Sequence, residues 1–310
     1  MTVAFLFPGQ GSQYVGMGAK LYETSETARQ IYRAAEKVLG FDVAQLCHQG
    51  PADRLNLTEY TQPAILTTSV AAWTLVKEKG LSASMLAGHS LGEYTALVAA
   101  GSLAFSDAVA LVQKRGRYMQ EAVPAGVGAM AAVLGLDRTA VEEICKAASI
   151  HGVVSAANIN SPIQIVIGGE RGAVEAAMAL AKERGAKRII PLAVSVPSHC
   201  ALMKPAAERL ARDLSGVTLL PLQVPIVTNV DAAPITSGDS AKKALVGQLA
   251  APVLWVDSVQ RMVQDGITTF VEIGPGTVLS GLVKRIARDA KTYHVEDPDS
   301  LDATLRELAA

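Results

Sequence analysis

The sequence predicts an α/β fold, a mostly parallel sheet flanked by helices and interrupted by a small inserted domain of ferredoxin-like order, β-α-β-β-α-β. Short apolar runs near both ends of the chain stop at Pro-Gly or Gly-Pro-Gly turns, as strands buried on both faces do. The middle of the chain instead spells out strand, helix, strand, strand, helix, strand. A third observation sets the size. The 310 residues, 50% hydrophobic and 18% charged, can bury more than one core usually organises.

Val3-Ala4-Phe5-Leu6-Phe7 is a continuous apolar run ended by Pro8-Gly9, hence a buried strand followed by a turn. Met85-Leu86-Ala87 leads into Gly88-His89-Ser90, and Leu91 to Ala100 reads as a helix closed by Gly101. A further helix runs from Asp107 to Ala122. In the middle region Gly128–Leu136 reads as a strand, Asp137–Ser149 as a helix, Val153–Ile159 and Gln164–Gly168 as strands, Arg171–Arg184 as a helix and Lys187–Val194 as a strand. Helical character returns from Pro205, followed by a strand at Val224–Asn229. Thr269–Ile273 is a last buried strand before Gly274-Pro275-Gly276, a structural turn. The expected division is a discontinuous large domain, 1–125 with 198–310, around a small domain at 126–197.

The 28 basic and 29 acidic side chains nearly cancel, so no whole-chain field points to nucleic acid or an anionic membrane. No cationic leader precedes the first apolar residues, and no run approaches the roughly 18 residues of a membrane span. Cys47, Cys145 and Cys200 lie far apart, which suits neither a disulfide framework nor a zinc site. A soluble, cytoplasmic, metal-free monomer is expected.

Gly88-His89-Ser90-Leu91-Gly92 matches G-x-S-x-G, with a strand before it and a helix after it. A strained strand-to-helix turn exposes a serine hydroxyl and aims helix amides at a reacting carbonyl, but the hydroxyl needs a base. His89 adjoins Ser90, so on a sharp turn its ring points away and serves as a packed support. His199 lies where the chain re-enters the large domain and is the leading base candidate. A hydrolase order of serine, acid and late histidine stays open, using His294 with Asp257, Asp265 or Glu272.

On the helix 107–122, Ala108, Leu111, Val112, Arg115, Met119 and Ala122 share one apolar stripe, so Arg115 is drawn inward. A buried, unpaired charge costs about 3 to 5 kcal/mol. Arg115 therefore has an internal acid partner, snorkels to the surface, or clamps a substrate carboxylate bidentately. Gln10 follows the first strand at the carboxyl end where α/β sheets place ligands. Its main-chain N–H could join that of Leu91 in holding an oxyanion.

These motifs resemble the bacterial malonyl-CoA:acyl carrier protein transacylases. FPGQGSQ (7–13), TQPAI (61–65), GHSLGEY (88–94), QKRGRYMQEA (113–122), NINSPIQIVIGG (158–169), VSVPSHC (194–200) and EIGPGTVLSGL (272–282) occur in the family's order over nearly the whole chain. The resemblance implies a hydrolase-like large domain and a malonyl-serine intermediate. Malonyl passes from malonyl-CoA to the phosphopantetheine thiol of acyl carrier protein, for fatty acid synthesis, with no tightly bound cofactor. It makes Ser90 the nucleophile, His199 the base, Gln10 and Leu91 the oxyanion amides and Arg115 the carboxylate partner. The main-chain carbonyl of Gln248, in GQLAAPVLW, takes the third triad place, and Asn160 lines the same cleft. Leu254 stands where relatives often carry a polar residue. Ser198 before the histidine accompanies larger substrates in some related domains and also occurs in free-standing members; malonyl is expected. The rivals are a serine esterase or thioesterase and a non-catalytic acyl-CoA-binding protein.

Overall fold

The computed structural model describes residues 2–124, 126–192 and 196–309. Among them, ten strands follow in chain order: β1 (Val3–Phe7), β2 (Met85–Gly88), β3 (Gly128–Leu134), β4 (Val154–Ser161), β5 (Gln164–Glu170), β6 (Arg188–Pro191), β7 (Ile226–Val227), β8 (Pro234–Ile235), β9 (Thr269–Ile273) and β10 (Lys291–Val295). They form two sheets.

The first has the order β10-β9-β1-β2-β7-β8, parallel throughout except for the β7–β8 edge. The continuous apolar run of β1 has the predicted cause. Val3, Phe5 and Phe7 enter the core on one face, Ala4 and Leu6 the core on the other. The second sheet is antiparallel, ordered β4-β5-β3-β6. The helices Arg138–Ala148 and Arg171–Glu183 pack beside it, and Val141, Ile144, Val174 and Ala177 fill a core of its own with Val133, Ile165 and Ile167. This is the expected strand-helix-strand-strand-helix-strand succession.

Two of the expected strands are much shorter than the sequence expectation, other strand ends shift by one or two residues, and β8 and β10 were not among the expected strands. The run 224–229 pairs only at Ile226 and Val227, because Thr228 turns its N–H to Ala233 O and Asn229 turns its own to the Glu93 carboxylate. The strand expected at 187–194 covers Arg188–Pro191; Ala193 and Val194, like Ala125 at the expected domain boundary, lie outside the described residues.

The sheets meet at one place that matters for the site. β4 shifts register between Ala156 and Asn158, and Asn158 bridges Val253 from the other part of the chain. Val253 donates to Ala157 O and accepts from Ile159 N, both at 2.9 Å. Leu254 packs against the second sheet's core, which suits its apolar side chain. Among the described residues no helix is long and apolar enough to cross a membrane.

Candidate active site

β2 ends at Gly88, and the helix Gly92–Ala99 starts four residues later, so the chain reverses within His89-Ser90-Leu91. A Cβ on Gly88 would lie 1.9 Å from Gly92 C, and one on Gly92 would lie 2.0 Å from Phe7 O. Only hydrogen fits at either place. Ser90 is consequently held at φ 51°, a left-handed conformation that costs a non-glycine residue about 1 to 3 kcal/mol. The turn presents Ser90 Oγ above the carboxyl end of the parallel sheet.

His199, also left-handed at φ 58°, is 2% exposed. Its Nδ1 lies 2.8 Å from Gln248 O and its Nε2 2.8 Å from Ser90 Oγ. A carbonyl oxygen can only accept, so Nδ1 carries the proton and Nε2 is left with the lone pair that receives the serine hydroxyl. The carbonyl is free for this because Gln248 ends the helix Gly238–Gln248, where the last carbonyls have no partner within the helix. Burial, and then the charge of Arg115, push the His199 imidazole down to about 3. It is neutral and able to accept a proton.

Arg115 lies in the helix Phe105–Ala122 and is 1% exposed, as the stripe predicts, while Lys114 and Arg117 stay at the surface. Its partners are neutral oxygens: Nη1 donates to Gln62 Oε1 at 2.8 Å, and Nη2 to Gln248 Oε1 at 2.9 Å and Ser90 Oγ at 3.0 Å. Nε has no hydrogen-bond partner, and Arg115 forms no ion pair among the described residues. Neither an internal salt bridge nor snorkelling describes it. A carboxylate entering beside Ser90 would find a cation already desolvated and oriented.

A cavity of about 100 Å³ unites Gln10, Ser90, Leu91, Arg115 and His199 with His89, Met119, Met130, Asn158, Leu192, Val196 and Ser198. Among the described residues, the main-chain N–H groups of Gln10 and Leu91 have no intramolecular hydrogen bond, although Gln10 Nε2 reaches Thr58 Oγ1 at 3.3 Å. Asn160 sits elsewhere. It accepts a 2.8 Å bond from His89 Nε2 and lines an adjoining cavity of about 110 Å³ with Pro8, Gln10, Val278 and Leu282. His89 is the packed support expected of it, tilted against Trp255.

The late-histidine alternative is not assembled. His294 lies on β10 in register with Glu272, whose carboxylate accepts from the N–H groups of Leu279 and Ser280; Asp257 pairs with Arg138 and Asp265 with Arg261. None of the four lines the Ser90 cavity. Among the described residues no cluster of His, Cys, Asp or Glu could hold a metal, and the three cysteines are buried and free.

Sequence reasoning missed four residues. Asn158 lines the cavity, and Gln62 holds Arg115. Glu93 is 2% exposed and accepts from Asn229 N and Gln248 Nε2, each at 3.0 Å; burial pushes its carboxyl up to about 7. Asn229 binds the serine turn itself. A charged residue within the apolar stretch LGEYTALVAA, and an asparagine ending an apolar run, were the available signals.

The family model described as acyl transferase domain matches residues 4–298. The malonyl CoA-acyl carrier protein transacylase of Bacillus subtilis is 48% identical over 307 residues, 99% of this chain and 97% of that protein. The crystal structure of an acyl carrier protein S-malonyltransferase from Vibrio cholerae superposes with a TM-score of 0.96 at 48% identity, covering 98% of this chain and 100% of that one. A type II polyketide synthase acyl-carrier protein in complex with its malonyl-transacylase gives a TM-score of 0.97 at 48% identity, over 99% of this chain and all of that one.

Proposed function

We infer the chemistry of this site from the premise that the chain belongs to the bacterial malonyl CoA-acyl carrier protein transacylase family. It is an acyltransferase that moves the malonyl group from malonyl-CoA to the phosphopantetheine thiol of acyl carrier protein, supplying fatty acid synthesis.

Ser90 is the nucleophile and His199 its base. Nε2 takes the hydroxyl proton as Oγ attacks the thioester carbonyl, and the oxyanion is received by the N–H groups of Gln10 and Leu91. The C–S bond then breaks, and His199 returns the proton to the departing CoA sulfur, leaving malonyl-serine. In the second half the carrier thiol gives its proton to His199 and attacks the ester carbonyl. Ser90 Oγ leaves with that proton, and the thioester is formed on the carrier.

Arg115 binds the malonyl carboxylate, and this has an electrostatic consequence. The guanidinium is one of the charges holding His199 down. A carboxylate placed on it cancels that influence, so the base strengthens when a carboxylated acyl group is in place. The Gln248 carbonyl orients the imidazole without supplying a full negative charge.

The domain division 1–125 with 198–310, around 126–197, goes with this reading. The outer segments contribute Gln10, Ser90, Arg115 and His199; the inserted one contributes Met130, Asn158 and, at the cleft's neighbour, Asn160. The same reading makes the protein a cytoplasmic monomer that uses CoA thioesters and a phosphopantetheinylated carrier without a resident cofactor, metal, nucleic acid or membrane.

The observation that carries this proposal is the convergence of His199 Nε2 and Arg115 Nη2 on one oxygen, Ser90 Oγ. Purified enzyme, malonyl-CoA and holo carrier protein are expected to give malonyl-carrier and free CoA in equal amounts, and Ser90→Ala to give neither. Release of free malonate in step with CoA when the carrier is omitted would identify a thioesterase instead.

A further inference from the structure

We propose that Asn229 is a positioning residue for Ser90, holding the serine turn in the conformation from which Oγ attacks. This rests on the reading of Ser90 as the acyl acceptor. Asn229 follows β7 and is fully buried. Its carboxamide spans the turn: Oδ1 accepts from Ser90 N at 2.6 Å, and Nδ2 donates to Gly88 O at 2.7 Å. Its own N–H donates to Glu93 Oε2 at 3.0 Å. One residue, 139 positions later in the chain, thus ties down both flanks of His89 and the first turn of the following helix.

A left-handed serine persists only where its surroundings over-determine it. The acceptor and donor of a single carboxamide do this at Ser90 N and Gly88 O. The consequence reaches two catalytic groups. The Ser90 φ aims Oγ at His199 and Arg115, and it also orients the peptide plane that carries the Leu91 N–H. That plane's oxygen is held in turn by Gln248 Nε2 at 3.0 Å. Asn229 also occupies the Ser90 N–H, so this donor is committed to the turn. Its carbonyl accepts from Leu254 N at 2.9 Å, beside the Val253 bridge to β4, which anchors the clamp to the junction of the two sheets. Asn229 does not line the Ser90 cavity, so its action is through the turn.

The test compares Asn229→Ala and Asn229→Asp with the wild-type enzyme. Rapid quenching after mixing with malonyl-CoA, read by intact-protein mass, gives the malonylation rate, and the endpoint counts competent sites. For Asn229→Ala the rate per competent site is expected to fall at least 100-fold, with the KM for malonyl-CoA within threefold of wild type, since Arg115 is untouched.

Asn229→Asp keeps the acceptor for Ser90 N. Its second oxygen opposes Gly88 O when ionised and can donate to it when protonated. The charged and titratable groups around it are Glu93 and Arg115 from the helices after the turn, His199 across Gln248, and Asp231 on its own loop. All are shared with the wild type. The ratio of Asn229→Asp to wild-type rate is therefore expected to rise severalfold from pH 8 to pH 6, while the ratio for Asn229→Ala stays level.

Should Asn229→Ala not accumulate as folded protein, the Asn229→Asp ratio carries the test alone. A rate per site within threefold of wild type in Asn229→Ala, a loss confined to KM, or an Asn229→Asp ratio indifferent to pH overturns the proposal. Failure of the Ser90 reading is distinguished by Ser90→Ala, which would then still form the adduct.

Discussion

Ser90 Oγ accepts a hydrogen bond from Arg115 while donating one to His199, so the proposed nucleophile is held between a guanidinium and an imidazole. Removing the cation has a calculable effect. Hydrogen bonds to a charged group contribute about 1.5 to 3 kcal/mol each, so losing a bidentate pair, about 3 to 6 kcal/mol, lowers malonyl transfer by about 100- to 10,000-fold. Arg115→Ala is expected to show that loss in kcat/KM for malonyl-CoA and less than a tenfold change for acetyl-CoA; equal losses would contradict a carboxylate-specific role. The same substitution removes one cause of the low His199 basicity. The acid limb of the free enzyme's pH profile should move to higher pH in Arg115→Ala, as read from kcat/KM between pH 4 and 8. Glu93 gives a second pH effect of opposite sense. Its folded carboxyl is raised from 4.5 to about 7, so the unfolded chain releases its proton first. Its contribution is complete below pH 4.5 and is lost as pH rises through 7, by roughly 3 kcal/mol. Thermal unfolding of Glu93→Gln across that range should show a flatter dependence than wild type. Of these residues, Ser90, His199 and Arg115 were legible in the sequence because each sits at a telling place: a strand-to-helix turn, a junction, an apolar stripe. Asn229 and Glu93 were not, since their roles arise only when residues more than a hundred positions apart meet.

At the scale of elements, the turn depends on two glycines that admit no side chain. Gly92→Ala would drive a Cβ into Phe7 O, a main-chain atom at the end of β1 that cannot move without distorting the sheet. A destabilisation above about 4 kcal/mol is expected, by chemical denaturation. Gly281, inside the helix Val278–Ile286, has nothing within 4 Å of the added carbon. Gly281→Ala should instead raise stability by about 0.5 to 1 kcal/mol. Strand type and order were readable from periodicity, as β1 shows by dividing its side chains between two cores. Strand ends were harder to read. β7 stops after two residues because Asn229 is claimed by the serine turn, a tertiary demand that local pattern does not encode. The register shift that places Asn158 at the cavity is hidden for the same reason, and Asn160, two residues on, was expected in its place.

At the scale of the molecule, the cleft is assembled from stretches far apart in the chain. The parallel sheet brings the ends of β1 and β2 side by side, the second sheet covers them, and the segment after it delivers His199. The 28 basic and 29 acidic residues leave attraction of an anionic thioester to local groups, of which buried Arg115 is the one we propose for the acyl carboxylate. The central claim, a malonyl group held on Ser90 until a thiol arrives, is tested most directly by intact-protein mass spectrometry in two steps. Mixing with malonyl-CoA alone should give one long-lived malonyl adduct that is absent from Ser90→Ala, and adding holo carrier protein should discharge it to the carrier thiol. An adduct that decays to free enzyme and malonate at the same rate with or without the carrier would contradict the account.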